Sequence, residues 1–273
     1  MKILVPIDFT PVTENALKYS IGLTDVLSVS HVILFHVVAS DKDADAASEK
    51  LTALIQNYKD QTRASLESNI KPGNIFDQIG KTAAELEASL IVMGTHGIKG
   101  MQKILGSRAM RVITNSETPY IVVQKKPYSQ IKKILIPVDY THEVKQILPL
   151  LQSLNDKFKA VFHLIKEEAK DDFISNKIRN NLVYFKSFLN DNNISFAEAG
   201  TYVASAKYKD VLKQADSTGA DLIVTTIDPE TNITDYIMGV EEQKLVANES
   251  QIPVLCVNIK QIMNRKGNFF ESI

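Results

Sequence analysis

The 273 residues carry 31 Lys plus Arg against 32 Asp plus Glu, a near-cancellation that leaves no overall field to draw the chain onto nucleic acid or an anionic membrane. One cysteine, Cys256, excludes an intrachain disulfide and a Cys-cluster metal site, and its place in the apolar string IPVLCVN reads as a buried, inert thiol. No stretch approaches the roughly 18 apolar residues of a membrane span, and MKILVPIDFT reaches Pro6 and Asp8 too early for a signal-peptide core, so the expectation is a cytoplasmic protein.

In chain order, a strand is predicted near 2–7 and a helix near 11–27, with Thr10 as N-cap and Pro11 at the first helical position, where a missing N–H costs nothing. A strand near 31–38 and a long helix over about 43–69 follow. Lys71-Pro72-Gly73 breaks that helix, with room for a short strand between Lys71 and Ile75. Residues 75–87 read as a helix, 89–94 as a strand, 107–115 as a helix and 119–124 as a strand. The polar stretch KKPYSQIKK, 125–133, reads as a linker.

Beyond it the plan repeats. ILVPIDFT at 3–10 returns as ILIPVDYT at 134–141, VILFHVV at 32–38 as AVFHLIK at 160–166, ASLIVMGT at 88–95 as ADLIVTTI at 220–227, and TPYIVVQ at 118–124 as IPVLCVN at 252–258. Helices are predicted near 142–154, 170–191, 207–218 and 241–249. Short Val/Ile/Leu strands, apolar on both faces and alternating with helices, indicate an α/β protein of two doubly wound, Rossmann-like parallel-sheet domains, 1–126 and 132–260.

The stretch GTHGIKGMQKILGSRAM begins where the strand LIVM ends and leads into a helix. Ligands of open parallel sheets bind beyond the carboxyl ends of the strands. Glycine there permits close backbone approach, and the N–H groups of Gly106, Ser107 and Arg108 at a helix start favour an anion such as phosphate. A plain flexible connection remains the alternative. Asp8 ends the first strand at the same sheet edge, where its carboxylate either accepts from a base or holds a metal, or else caps the helix beginning at Pro11. His36 reads as a packed histidine, while Val37 and Val38 beside it have backbone groups to offer a base. Gly80-Lys81-Thr82 lacks the earlier glycine of a Walker A loop, and His142-Glu143 lacks the second histidine of a zinc helix.

In ILVPIDFT, LIVMGTHG, Gly-Ser before a helix and TPYIVVQ, the chain resembles the universal stress proteins in their tandem two-domain form. The nucleotide-binding members carry Gly-x2-Gly-x9-Gly-Ser/Thr, matched here by Gly94, Gly97, Gly106 and Ser107, although eight residues rather than nine separate Gly97 from Gly106. The resemblance implies ATP or another adenine nucleotide, with Mg2+ as companion. Asp8 and the backbone around Val37 would meet adenine, Met93 and Gly94 the ribose and first phosphate, with Pro6 and Ile7 also in the nucleotide site. His96, Gly97, Gly106, Ser107 and Arg108 would face the phosphates. It further implies a regulatory, stress-response role, two halves packed about a pseudo-two-fold through antiparallel last strands, and room for a homodimer. A slow ATPase or self-phosphorylating protein, with Ser107 as acceptor and His96 as acid or base, is one alternative; an interaction module without ligand is another. In the second half Asp139 stands opposite Asp8, but Thr226, Pro229 and Val240 replace Gly94, Gly97 and Ser107, and the surrounding loop carries Asp228, Glu230, Asp235, Glu241 and Glu242. One nucleotide per chain, in the first half, is therefore expected.

Overall fold

Alternation along β1 (Lys2–Pro6) sets the architecture: Ile3 and Val5 enter one core, Leu4 the other, and all three are fully buried. Period-two alternation with both faces apolar requires a helical layer on each side. In the computed structural model, which describes residues 1–95, 118–140, 146–227 and 244–258, those layers are present. β1 leads into α1 (Pro11–Leu27), which buries Val12, Ala16, Leu17, Tyr19, Leu23 and Leu27 at helical spacing and stops at Ser28, in the left-handed conformation. Then follow β2 (His31–Val38), α2 (Ala44–Tyr58), β3 (Ser65–Pro72), α3 (Ile75–Glu85), β4 (Leu90–Gly94) and β5 (Tyr120–Val123). The second half runs β6 (Lys133–Val138), α4 (Leu148–Phe158), β7 (Val161–Glu168), α5 (Asp172–Asp191), β8 (Phe196–Val203), α6 (Lys207–Thr218), β9 (Leu222–Ile227) and β10 (Val254–Asn258). No helix among the described residues is long and apolar enough to cross a membrane.

All ten strands form one sheet, in the order β3-β2-β1-β4-β5-β10-β9-β6-β7-β8. The order is a palindrome, each half repeating the other's topology around the centre. Every neighbouring pair is parallel except the central one. There β10 meets β5 antiparallel, with Val254 opposite Val122, Leu255 opposite Ile121 and Cys256 opposite Tyr120. The expected meeting of TPYIVVQ with IPVLCVN is thus observed, and one core layer runs from Ile3 and Leu17 in the first half to Phe162 and Phe185 in the second without a break. Burial at this seam pushes the Cys256 thiol up to about 12, so the expected inert cysteine stands.

Three expectations change. The helix expected over 43–69 ends at Tyr58, and residues 65–72 are β3, wider than the short strand expected after Lys71. β8 was not expected at all. Both are the outermost strands, half exposed, and their polar residues erase the apolar run that marks an inner strand. Pro72 is tolerated at the end of such an edge. The helix expected at 142–154 is described as α4, which begins at Leu148 and continues to Phe158; residues 142–145, the helix at 107–115 and part of the helix at 241–249 lie outside the described residues. The third change concerns the linker, which is anchored despite its charge. Ile131 is fully buried, and Tyr128 packs edge-on against Tyr19 at 5.2 Å over Gly22, where a Cβ would stand 2.2 Å from the Tyr128 ring.

A polar residue fastens the seam from the side. Asn248, wholly buried, donates through Nδ2 to the carbonyls of Leu245 (3.0 Å) and Ile252 (2.8 Å) and accepts from the Ile252 N–H (2.9 Å), while Gln124 Nε2, from beyond β5, donates to the Asn248 carbonyl (2.6 Å). Replacing Asn248 with alanine strands buried backbone groups. A loss of about 2–3 kcal/mol is expected, measured as a lower urea midpoint with unchanged slope.

Candidate functional site

The first half's site begins where β1 leaves the sheet. The Ile7 N–H donates to the Phe35 carbonyl at 2.7 Å, and the register between β1 and β2 ends at Pro6 opposite Phe35. Main-chain groups alternate sides along a strand, so those of Phe35 face β1 and those of Val37 face the same way. One more rung would join the Val37 N–H to the Ile7 carbonyl. That rung is absent: the Ile7 carbonyl accepts instead from His36 Nδ1 at 2.6 Å, which assigns the ring proton to Nδ1. Val37 is left with an N–H and a C=O that face the space beyond β1, neither hydrogen-bonded on that side among the described residues.

Asp8 and Phe9 turn the chain away. Oδ1 of Asp8 accepts from the Thr10 N–H (3.0 Å), the Thr10 hydroxyl (2.6 Å) and the Thr13 hydroxyl (2.8 Å), while the Asp8 N–H donates to Thr13 Oγ1 (3.3 Å). The carboxylate therefore closes the turn into α1, and Thr10, though at the N-cap position, makes no side-chain cap bond of its own. Phe9 sits at φ 63°, a left-handed conformation costly for a bulky residue. Its ring lies 4.7 Å from that of His36, and Lys50 Nζ stands 5.3 Å above the same ring.

Between these elements opens a cleft of about 470 Å3 lined by Ile7 and Asp8, by His36 to Ala39 of β2 and beyond, and by Gly73, Asn74 and Ile75. The last three were not expected in a site. Gly73, at φ 126°, bends the chain so that its N–H reaches the Val38 carbonyl (3.0 Å) and forms the rim. The only signal in the sequence was the Lys-Pro-Gly breaker.

Of the expected site residues, Ile7, Asp8 and Val37 come together here, joined by His36, which in sequence reads as a packed histidine, and Pro6 is buried behind them at the end of β1. Met93 packs into the core beside Phe35, Ile79 and Ala83, and does not line the cleft. Gly94 has a packing reason to be glycine: a Cβ there would stand 2.5 Å from the Val12 carbonyl oxygen, so β4 and α1 touch only because it is missing. His96, Gly97, Gly106, Ser107 and Arg108 lie outside the described residues, as does the second half's loop from Asp228 to Glu242. Among the described residues no three His, Cys, Asp or Glu side chains gather as a metal site.

The second half does not repeat the opening. The ladder registers place Val138 at the position of Ile7, Lys166 at that of His36, Glu167 at that of Val37 and Thr226 at that of Gly94. Here the β6–β7 register runs one pair further, through Val138 opposite Lys166. In a parallel ladder that pair commits the Glu167 N–H to the Val138 carbonyl. The Glu167 side chain is buried, and desolvation, reinforced by the Asp139 carboxylate, raises its pKa, while Lys207 and the nearby Tyr202 hydroxyl partly offset this.

Residues 1–124 match the Universal stress protein family. The match lies in the first half of this chain. Two relatives from Methanocaldococcus jannaschii align with part of the chain: Universal stress protein MJ0577, 28% identical over 155 residues, covers 46% of this chain and 95% of its own length. Universal stress protein MJ0531, 27% identical over 139 residues, covers 45% and 82%. The crystal structure of a universal stress protein from Archaeoglobus fulgidus shares the fold across both halves, with TM-score 0.75 at 19% identity, covering 94% of this chain and 98% of that one. The universal stress fold therefore accounts for the ten-stranded sheet, not for the first five strands alone.

Two outcomes follow from this geometry. Gly94→Ala is expected to destabilise the protein by about 1–3 kcal/mol through overpacking against α1, visible as a lower melting temperature without any ligand. Glu167→Gln works in the other direction. Because the folded-state pKa of Glu167 is raised, its ionised form subtracts from stability at neutral pH, and the penalty is relieved as pH falls through that pKa. The glutamine variant should be more stable than the parent at pH 7.5, and the difference should shrink toward pH 4; urea midpoints at the two pH values measure both.

Proposed function

We propose that this protein binds one adenine nucleotide, ATP in the first place, in the first-half cleft, and that occupancy of the cleft serves a regulatory, stress-responsive role in the cytoplasm. One observation carries the reading: the paired N–H and C=O of Val37, released from the ladder and facing an open cleft. The Watson–Crick edge of adenine has the complementary pattern, an N6 amino donor beside an N1 acceptor, and would continue the interrupted sheet edge as a strand would. A cleft of about 470 Å3 lies within the usual range of about 300–1,000 Å3 for small-ligand sites. Ile7 and the valines supply the apolar walls that a base needs.

The nucleotide would arrive as its magnesium complex, its phosphates directed past the end of β4 toward Gly97, Gly106, Ser107 and Arg108, with His96 beside them. Binding, not turnover, is the reading preferred here, and the hydrolysis and self-phosphorylation alternatives rest wholly on His96 and Ser107. The second half supports a count of one: its ladder consumes the amide that Val37 leaves open, and a buried carboxylate stands in place of the valine side chain.

Calorimetry with ATP and with ITP tests the base assignment. Inosine presents an acceptor where adenine has its amino group and a protonated N1, so both hydrogen bonds to Val37 are lost. ATP should bind with one site per chain and ITP about 100-fold more weakly, two unsatisfied hydrogen bonds costing about 1–3 kcal/mol each before solvent compensates. Equal affinities would remove the Val37 edge from the site, and two sites per chain would contradict the account of the second half.

A further inference from the structure

We infer that His36 is the positioning residue that creates the base-reading edge, by taking the Ile7 carbonyl away from the Val37 amide. This rests on the nucleotide reading above for its purpose, but not for its geometry. A parallel ladder extends as long as each carbonyl has the next amide to accept from. At Ile7 the competing donor is the His36 ring, held at 2.6 Å and immobilised by the Phe9 ring 4.7 Å away. With the carbonyl held toward the ring and not toward the Val37 amide, β1 departs one rung early and Val37 keeps both its groups for a ligand.

The chain contains its own control. Lys166 occupies the histidine's position in the second half, and among the described residues no bond from its side chain reaches the Val138 carbonyl; there the ladder closes the extra rung. The ends of β1 and β6 are matched in sequence, ILVPID against ILIPVD, whereas on the facing strand Val37 and Val38 give way to Glu167 and Glu168. The residue just before each branch point is proline in both halves, Pro6 ahead of Ile7 and Pro137 ahead of Val138, so proline does not explain the difference. His36 has no role as a base contact in this account. It acts through the main chain of its neighbour, and a short side chain with an N–H at the same reach should replace it.

Two variants and two measurements test the inference in the full-length protein. In the parent, the Val37 amide should exchange with solvent rapidly for a residue inside a strand. In His36→Leu the ladder should close by one rung, slowing Val37 exchange and weakening ATP at least about tenfold, the loss of one hydrogen bond at the base. His36→Asn, whose Nδ2 stands near the place of the ring Nδ1, should restore fast exchange and most of the affinity. A merely structural histidine would lower stability in both variants without moving Val37 exchange. Unchanged Val37 exchange and unchanged ATP affinity in a folded His36→Leu protein would overturn the inference. If the parent binds no adenine nucleotide yet Val37 exchange slows in His36→Leu, the ladder assignment stands and it is the nucleotide reading that fails.

Discussion

The architecture depends on one antiparallel contact. Each half, taken by itself, is a five-stranded parallel sheet whose last strand is apolar on both faces: Tyr120 to Val123 on one side and Val254 to Val257 on the other are buried throughout. Such an edge presents unpaired main-chain groups beside a continuous apolar surface and invites association. Joining β5 to β10 satisfies both edges at once, and the joint continues the helical layer and its core across the molecule. The hydrogen bonds of Asn248 and Gln124 then fix how the second half meets the first.

Symmetry of topology has not preserved symmetry of chemistry. The carboxyl ends of the two halves lie at equivalent positions in a palindromic sheet, yet the first opens into a cleft lined by Ile7, Val37 and a free backbone edge, while at the second Lys166, Glu167 and Glu168 line a different cleft, against α5. A difference of one ladder rung separates them. Main-chain groups are present at every residue, so a binding edge can be switched on or off without changing the fold, merely by deciding which acceptor meets which donor. The second half retains its part in the sheet and the core, which is enough to explain why its scaffold persists while its opening diverges.

Several features attributed to ligand binding on sequence grounds have a nearer cause in packing. Gly94 keeps α1 in contact with β4. Asp8 holds Thr10 and Thr13 to form the turn into α1. Neither role excludes a ligand, since both residues lie at the sheet's carboxyl edge. They do mean that loss of binding in a variant at either position would first have to be separated from loss of structure.

The sequence by itself determined the inner strands, because Val, Ile and Leu runs between amphipathic helices admit few arrangements, and it determined the duplication, because four strand segments recur at nearly constant spacing. It also marked Asp8 and Val37 as neighbours of a site, since both end strands that adjoin in a parallel sheet. Edge strands β3 and β8 were poorly legible or not legible at all; exposed on one side, they need no apolar pattern. Only the tertiary structure decided that His36 captures the Ile7 carbonyl, that Gly73 to Ile75 form the rim, and that Glu167 is buried. Each of these depends on which main-chain or side-chain group reaches a partner first across 29 or more residues of sequence, as with Ile7 and His36. Residue type fixes what a group can donate or accept, and only the packed chain fixes which group is near enough to do so.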